Sequence, residues 1–197
     1  HFLEAWPVTM EGNGVDNVCT IWGYPAMAFM PHGKGGMVVV GDSAGGNLAA
    51  GTVQHALSTG WAVPSALLLL SPWLDLSPES ASNHADHHEI SWFDREDMIT
   101  YMHHYLQDAD PNEPAASPLK GSWNGFPPTF IEASVDEYLW PDAEQAHALL
   151  QTAGAKVVLR TEEKALHGWQ LFPDFIPEAA RSLAAMARFI QEVDAAD

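Results

Sequence analysis

The sequence predicts an α/β fold, with a single domain over residues 1–197 built on a mostly parallel, doubly wound sheet flanked by helices. Three observations point there. Short runs of apolar or β-branched residues recur without the polar alternation of a sheet that has one wet face, so both faces of these strands are covered. Segments of helical length and spacing separate the runs, and a strand–helix–strand order makes neighbouring strands parallel. Finally, Met37-Val38-Val39-Val40 passes through Gly41-Asp42-Ser43-Ala44-Gly45-Gly46 straight into Asn47-Leu48-Ala49-Ala50, a strand, a sharp turn and a helix with no linker.

Taken in order, Met37–Val40 reads as a buried strand, Ala44–Ser58 as a helix, and Ser65–Leu70, Thr129–Ser134 and Lys156–Arg160 as further strands. Pro141–Ala153 is a helix with Gly154 placed to cap it. In Pro177–Val193 the residues Ala180, Leu183, Ala184, Ala187 and Ile190 form the predicted apolar face. The long stretch 75–126 is an insertion between the second and third of these strands. It holds a helix that starts at Asp94-Arg95-Glu96-Asp97 and runs through Met98, Ile99, Met102 and Leu106, and it brings Trp92, Phe93, Tyr101 and Tyr105 toward a pocket.

Composition bounds the function classes. With 197 residues and 47% apolar content the chain can bury a full core, which excludes a disordered class. The 26 acidic against 8 basic residues, a net charge of −18, make nucleic acid and anionic membrane poor partners. One cysteine, Cys19, allows no intrachain disulfide, so a reducing cytoplasm is the expected location. No apolar run approaches the roughly 18 residues of a membrane span.

The glycine turn carries the chemistry. Gly-x-Ser-x-Gly between a strand and a helix is a nucleophile elbow: side chains at Gly41 and Gly45 would collide with neighbouring backbone, and Ser43 is held on a strained turn at the sheet edge. The following helix offers free N–H groups, so the Ala44 N–H is an oxyanion donor. The same string without its alanine surrounds the nucleophile of trypsin-like proteases, but there the serine sits in a β-barrel loop with its partners upstream. Here they lie downstream. His167 falls just past the last predicted strand, the one histidine of ten in that position, and Asp136 and Glu137 follow the strand before it. Either carboxylate could orient the imidazole. His84 and His88, one helical turn apart with His87 between them, lack a supporting ligand, so no metal and no cofactor is expected.

Gly-Asp-Ser-Ala-Gly-Gly-Asn-Leu-Ala-Ala resembles the nucleophile motif of the hormone-sensitive-lipase-type esterases, a family of α/β-hydrolases. Leu70-Ser71-Pro72-Trp73-Leu74-Asp75-Leu76, Ala116-Ser117-Pro118-Leu119 with Pro127-Pro128-Thr129-Phe130-Ile131, and Leu166-His167-Gly168-Trp169 resemble the same family in the same order. The resemblance covers about Met37 to Ile190 and implies an α/β-hydrolase fold and a Ser-His-acid triad acting on small, short-acyl esters without a cofactor. In the family a leucine stands two positions after the acid, with an aspartate further on. Leu139 and Asp142 fit that register when Glu137 is the acid, with Asp136 the alternative. Asp42, Trp73, Trp92, Tyr101 and Trp169 are the candidates for substrate contacts, although Asp42 and Asp75 are also readily structural hydrogen-bond partners.

The family's His-Gly-Gly-Gly loop, which completes the oxyanion hole, has no counterpart here. Pro31-His32-Gly33-Lys34-Gly35-Gly36 ends one residue before the elbow strand and so enters from the opposite end of the sheet. The chain is thus expected to correspond to the C-terminal two-thirds of an esterase. An open strand edge would favour pairing with another copy. The contrasting reading is a non-catalytic or weakly active α/β-hydrolase-like binding or remnant protein.

Overall fold

The computed structural model describes residues 17–21, 24–32, 36–83 and 93–196, with side chains from residue 36 onward except at 81–83. Six strands form one sheet in sequence order: β1 (Asn17–Ile21), β2 (Tyr24–His32), β3 (Gly36–Asp42), β4 (Ala66–Leu70), β5 (Thr129–Ser134) and β6 (Val157–Glu162). The pairings from β3 to β6 are parallel, while β1 with β2 and β2 with β3 are antiparallel. The first two strands were not anticipated, and the edge of β3 expected to lie open is covered by β2, with Met27 opposite Gly41 and His32 opposite Gly36.

Helices cover both faces, as a doubly wound sheet requires, although the described strands show no reversal of order. Helices α1 (Ala44–Thr59) and α4 (Trp140–Thr152) lie on one side. There Ala49, Ala50, Val53, Ala143, Ala146 and Leu150 meet Val39, Leu67, Leu69, Ile131 and Ala133. The alternate residues of the same strands, Val38, Leu68, Leu70 and Phe130, face α5 (Pro177–Asp194). This division by parity is why the strands read as continuous apolar runs.

The face of α5 is not the one the spacing predicts. Ala179, Ser182, Ala185, Met186, Phe189 and Val193 are buried, whereas Ala180, Leu183, Ala184 and Ala187 are exposed. Both stripes have helical spacing. The one that wins carries the larger side chains, with Phe189 tilted against Phe130 at 5.6 Å, and supplies the Ser182 hydroxyl that the interior uses. The C-terminus of α4 also differs by one residue: Ala153 is the right-handed cap and Gly154, at φ 74°, takes the left-handed position after it.

The insertion carries α2 (Pro78–Asn83) and α3 (Arg95–Leu106). Asp94 begins α3 with a capping box: its Oδ1 accepts from the N–H groups of Glu96 and Asp97 at 2.8 and 2.9 Å, and Asp97 Oδ2 accepts from Asp94 N–H at 3.1 Å. Buried polar groups fasten the insertion to the core. Asn47 Nδ2 donates to the Ala116 carbonyl at 2.8 Å, Gln54 Nε2 to that of Pro118 at 2.8 Å, and Leu76 N–H to Ser117 Oγ at 2.8 Å. Asp142 Oδ2 accepts from the N–H groups of Leu74 and Asp75 at 2.6 and 3.0 Å, tying α4 to the segment after β4. Asp75 itself accepts from Ser77 N–H and pairs with Lys120 at 2.9 Å, a structural role.

Candidate active site

Parallel strands put their carboxyl ends on one edge of the sheet, and the loops leaving β3, β5 and β6 bring the candidate residues together there. Ser43 follows β3 with φ 54° and ψ −121°, a conformation that a residue bearing a β-carbon adopts only when its surroundings force it. The force is visible. Its N–H donates to the Leu70 carbonyl at 2.9 Å, and its carbonyl accepts from the N–H groups of Gly46 and Trp73 at 2.9 and 3.0 Å. A β-carbon on Gly41 would lie 2.2 Å from the Gly45 carbonyl oxygen, and one on Gly46 would lie 2.6 Å from the Pro72 side chain. Gly46, the last glycine of the run, is therefore as necessary as the flanking pair. Ala44 opens α1, where the first N–H groups have no intrahelical acceptor.

Of the two adjacent carboxylates, Glu137 is the one that reaches His167. It is fully buried, its Oε2 is hydrogen-bonded to His167 Nδ1, and its Oε1 accepts from Ser134 N–H at 2.9 Å. Asp136 turns the other way and accepts from Lys164 N–H at 2.6 Å, which pins the loop carrying His167. Burial pulls the His167 imidazole toward neutrality, but the hydrogen bond to Glu137 and the negative charges of Glu137 and Asp42 outweigh it and leave its pKa above the usual histidine value.

Beyond His167 the chain turns sharply at Gly168, φ 70°, and enters a 3₁₀ turn, Trp169–Leu171. Trp169 is buried, its Nε1 donating to Ser182 Oγ at 3.2 Å, and it sits in a small cluster with Ala165, Ala179 and Ile176. Its place among the substrate contacts is thus corrected: the indole anchors the His167 loop to α5. Glu132, paired with Arg160 at 3.0 Å, accepts from Gln170 Nε2 at 3.5 Å and adds a further tether from β5.

Ser43 and Ala44 open onto a cavity of about 800 Å³. Its walls include Trp73 and Leu76 after β4, Leu48 on α1, Phe93, and Met98, Tyr101, Met102 and Tyr105 on α3. Phe93, on the cavity wall, meets the His167 ring edge-on at 5.0 Å. Trp73 and Tyr101 are where the sequence reading put them. Trp92 lies outside the described residues, as do His84, His87 and His88. Leu48, Met98 and Met102 were not singled out as pocket residues, because apolar positions at helical spacing look alike in sequence whether they face core or cavity. Asp42 does not line the cavity: it is half-buried, and its inner carboxylate oxygen, Oδ1, has no hydrogen-bond partner. Among the described residues no helix is long and apolar enough to cross a membrane.

Comparison with known proteins agrees with this fold. The sequence profile of a family described as having the alpha/beta hydrolase fold matches residues 26–171. An acetyl-hydrolase of Streptomyces hygroscopicus is 31% identical over 157 residues, covering 80% of this chain and 52% of that protein. An esterase of Acinetobacter venetianus is 30% identical over 159 residues, again covering 80% and 52%. Among solved structures, an esterase from the bacterial hormone-sensitive lipase family superposes with a TM-score of 0.72 at 29% identity, covering 79% of this chain and 52% of that one. The chain spans about half the length of these relatives.

Proposed function

Because this chain belongs to the α/β-hydrolase family, among relatives of the hormone-sensitive-lipase type, we propose that it hydrolyses carboxylic esters through an acyl-enzyme on Ser43. The observation that carries the reading is the buried Glu137–His167 hydrogen bond, formed at the sheet edge where the strained elbow presents Ser43. With its Nδ1–H held by Glu137, the imidazole has Nε2 as its basic nitrogen, which takes the Ser43 proton as the hydroxyl oxygen attacks the ester carbonyl. The resulting imidazolium is stabilised by the Glu137 charge and gives its proton to the departing alkoxide. Water then attacks the acyl-serine by the same path in reverse.

The Ala44 N–H is the oxyanion donor this chain supplies. His32 and Gly36, which pair at the opposite end of the sheet, cannot add to it. Gly36 begins the 7-residue strand β3, which places it roughly 23 Å from the elbow at its far end. Full activity therefore draws on a second donor from a segment equivalent to the relatives' additional length. The apolar walls of the cavity suit the acyl or alcohol part of a small ester better than a charged substrate.

A fluorophosphonate probe tests the assignment. It should add one equivalent to Ser43, detected by intact mass and peptide mapping, and Ser43→Ala should abolish labelling. Modification of another serine, with Ser43 untouched, refutes the reading.

A further inference from the structure

We propose that Asp42 is a positioning residue of the triad, whose part-buried carboxylate, with its inner oxygen Oδ1 unpartnered, sets a second negative charge beside the His167–Glu137 pair and favours the imidazolium during ester attack. The inference rests on the esterase reading and extends it by a residue that the Ser-His-acid scheme does not use.

Among the described residues the fully buried aspartates, Asp75 and Asp142, both have evident work. Asp75 and Asp142 accept backbone N–H groups, and Asp75 also pairs with Lys120. Asp42 differs. It closes β3 directly before the nucleophile, its Oδ1 is buried with no donor in reach, and that oxygen lies 3.8 Å from where a β-carbon on Gly168, the neighbour of His167, would stand. A buried carboxylate oxygen left without a hydrogen bond is costly, and such atoms persist where their charge is used. The charged groups acting on it are His167, from the loop after β6, which favours its ionised form, and Glu137, from the loop after β5, which opposes it. Burial is the largest influence and holds the Asp42 pKa up to about 6, so the carboxyl is ionised at neutral pH only against resistance.

The consequence is a shared electrostatic cage. When the imidazole is neutral, Asp42 and Glu137 repel each other across it. When Ser43 transfers its proton, the new positive charge meets both carboxylates, so the transition state gains more than the resting enzyme does. No bond is made or broken at Asp42. The proton stays on the route from Ser43 Oγ to His167 Nε2 to the leaving alkoxide.

The test is a pair of titrations on the folded protein, comparing wild type with Asp42→Asn and, in case the amide disturbs folding, with Asp42→Ala. Nuclear magnetic resonance would follow the His167 ring, assigned by its loss in His167→Gln. Steady-state hydrolysis of an activated ester would give the pH profile of kcat/KM. In the neutral variants the His167 titration and the acid limb of kcat/KM should both move to lower pH, and kcat/KM on the alkaline plateau should fall by about ten-fold, the order set by one charge acting through a protein interior. A folded neutral variant whose His167 titration stays at the wild-type midpoint overturns the proposal. So does a shifted titration with an unchanged plateau rate. If wild type neither hydrolyses esters nor labels at Ser43, the esterase reading fails by itself, and the resonance titration still reports whether Asp42 acts on His167.

Discussion

Replacing Glu137 by Gln tests the triad where its geometry is best defined, because both carboxylate oxygens have assigned partners. An amide has one oxygen and one NH₂ group, and neither orientation can serve both contacts. If its oxygen keeps the Ser134 N–H, the NH₂ faces His167 Nδ1, which must then accept. The ring proton moves to Nε2, and the imidazole cannot take a proton from Ser43. If the amide turns over, the tautomer is right but the NH₂ confronts the Ser134 N–H, donor against donor in a site without exposure. An unsatisfied buried donor costs about 1–3 kcal/mol, and the lost charge-assisted bond to the imidazolium about 1.5–3 kcal/mol more. Together these amount to roughly 10²- to 10⁴-fold in rate.

Asp136→Asn is the internal control. The asparagine oxygen can still accept from Lys164 N–H, so the loop keeps its tether and the loss should stay within about ten-fold. The assay is kcat/KM on an activated ester beside thermal melts that confirm both variants are folded. A larger loss from Asp136→Asn than from Glu137→Gln would refute the assignment of the acid and move that role one residue back.

Further outcomes follow from the same coordinates. Phe189→Ala should lower stability by about 3–5 kcal/mol while Leu183→Ala stays near neutral, read by thermal or urea melts, because α5 buries the first and exposes the second. The Asp42 pKa rises from 3.8 to about 6 on folding, so the folded state binds the proton more tightly and its stability falls as pH rises through that window; Asp42→Asn should melt higher than wild type at pH 8 by an amount reflecting up to about 3 kcal/mol, and the gain should vanish near pH 4. The raised His167 pKa places the acid limb of kcat/KM above the ordinary histidine value, and Glu137→Gln should move it to lower pH. Joining the chain to a relative's N-terminal segment bearing His-Gly-Gly-Gly should raise the ester rate by roughly 100-fold or more, measured on the same substrate; a folded graft that stays at the background rate would favour the non-catalytic reading.

Much of this arrangement was legible in the sequence because the relevant constraints are local. The strands from β3 to β6 announce themselves as apolar runs, and the elbow is written in glycines whose β-carbons have no room. What escaped depends on contacts between distant segments. Helix α5 has two apolar stripes, and only the position of Phe130 and Trp169 decides which one turns inward. Trp169, next but one to His167, looks like a pocket residue until Ser182 is seen to take its indole proton. The cavity wall on α3 depends on how the insertion folds back over α1, which the spacing of Met98 and Met102 does not reveal. Asp42 reads in sequence as a substrate contact or a structural hydrogen-bond partner; that its Oδ1 lacks a donor is a fact of packing alone.

The topology also bears on where a second oxyanion donor for the proposed reaction could stand. Ser43, Glu137 and His167 follow parallel strands, so each lies beyond a carboxyl end on the same edge of the sheet. Strand β2 runs the opposite way. Its carboxyl end, His32, faces Gly36 at the far edge, and it is the β2 residues near Met27, opposite Gly41, that approach the elbow's level. The carboxyl end of β2 is therefore turned away from the site. A second oxyanion donor has to arrive on a loop at the Gly41 end of the sheet, close to Ala44, and the relatives' additional length is the natural source for such a loop. On the proposed reading the triad and the second oxyanion donor would then reside in separate stretches of the polypeptide. For such a division, Ser43 labelling by a phosphonate should proceed slowly in this chain and accelerate when the loop is restored, since the same donors stabilise the negative oxygen that develops at phosphorus.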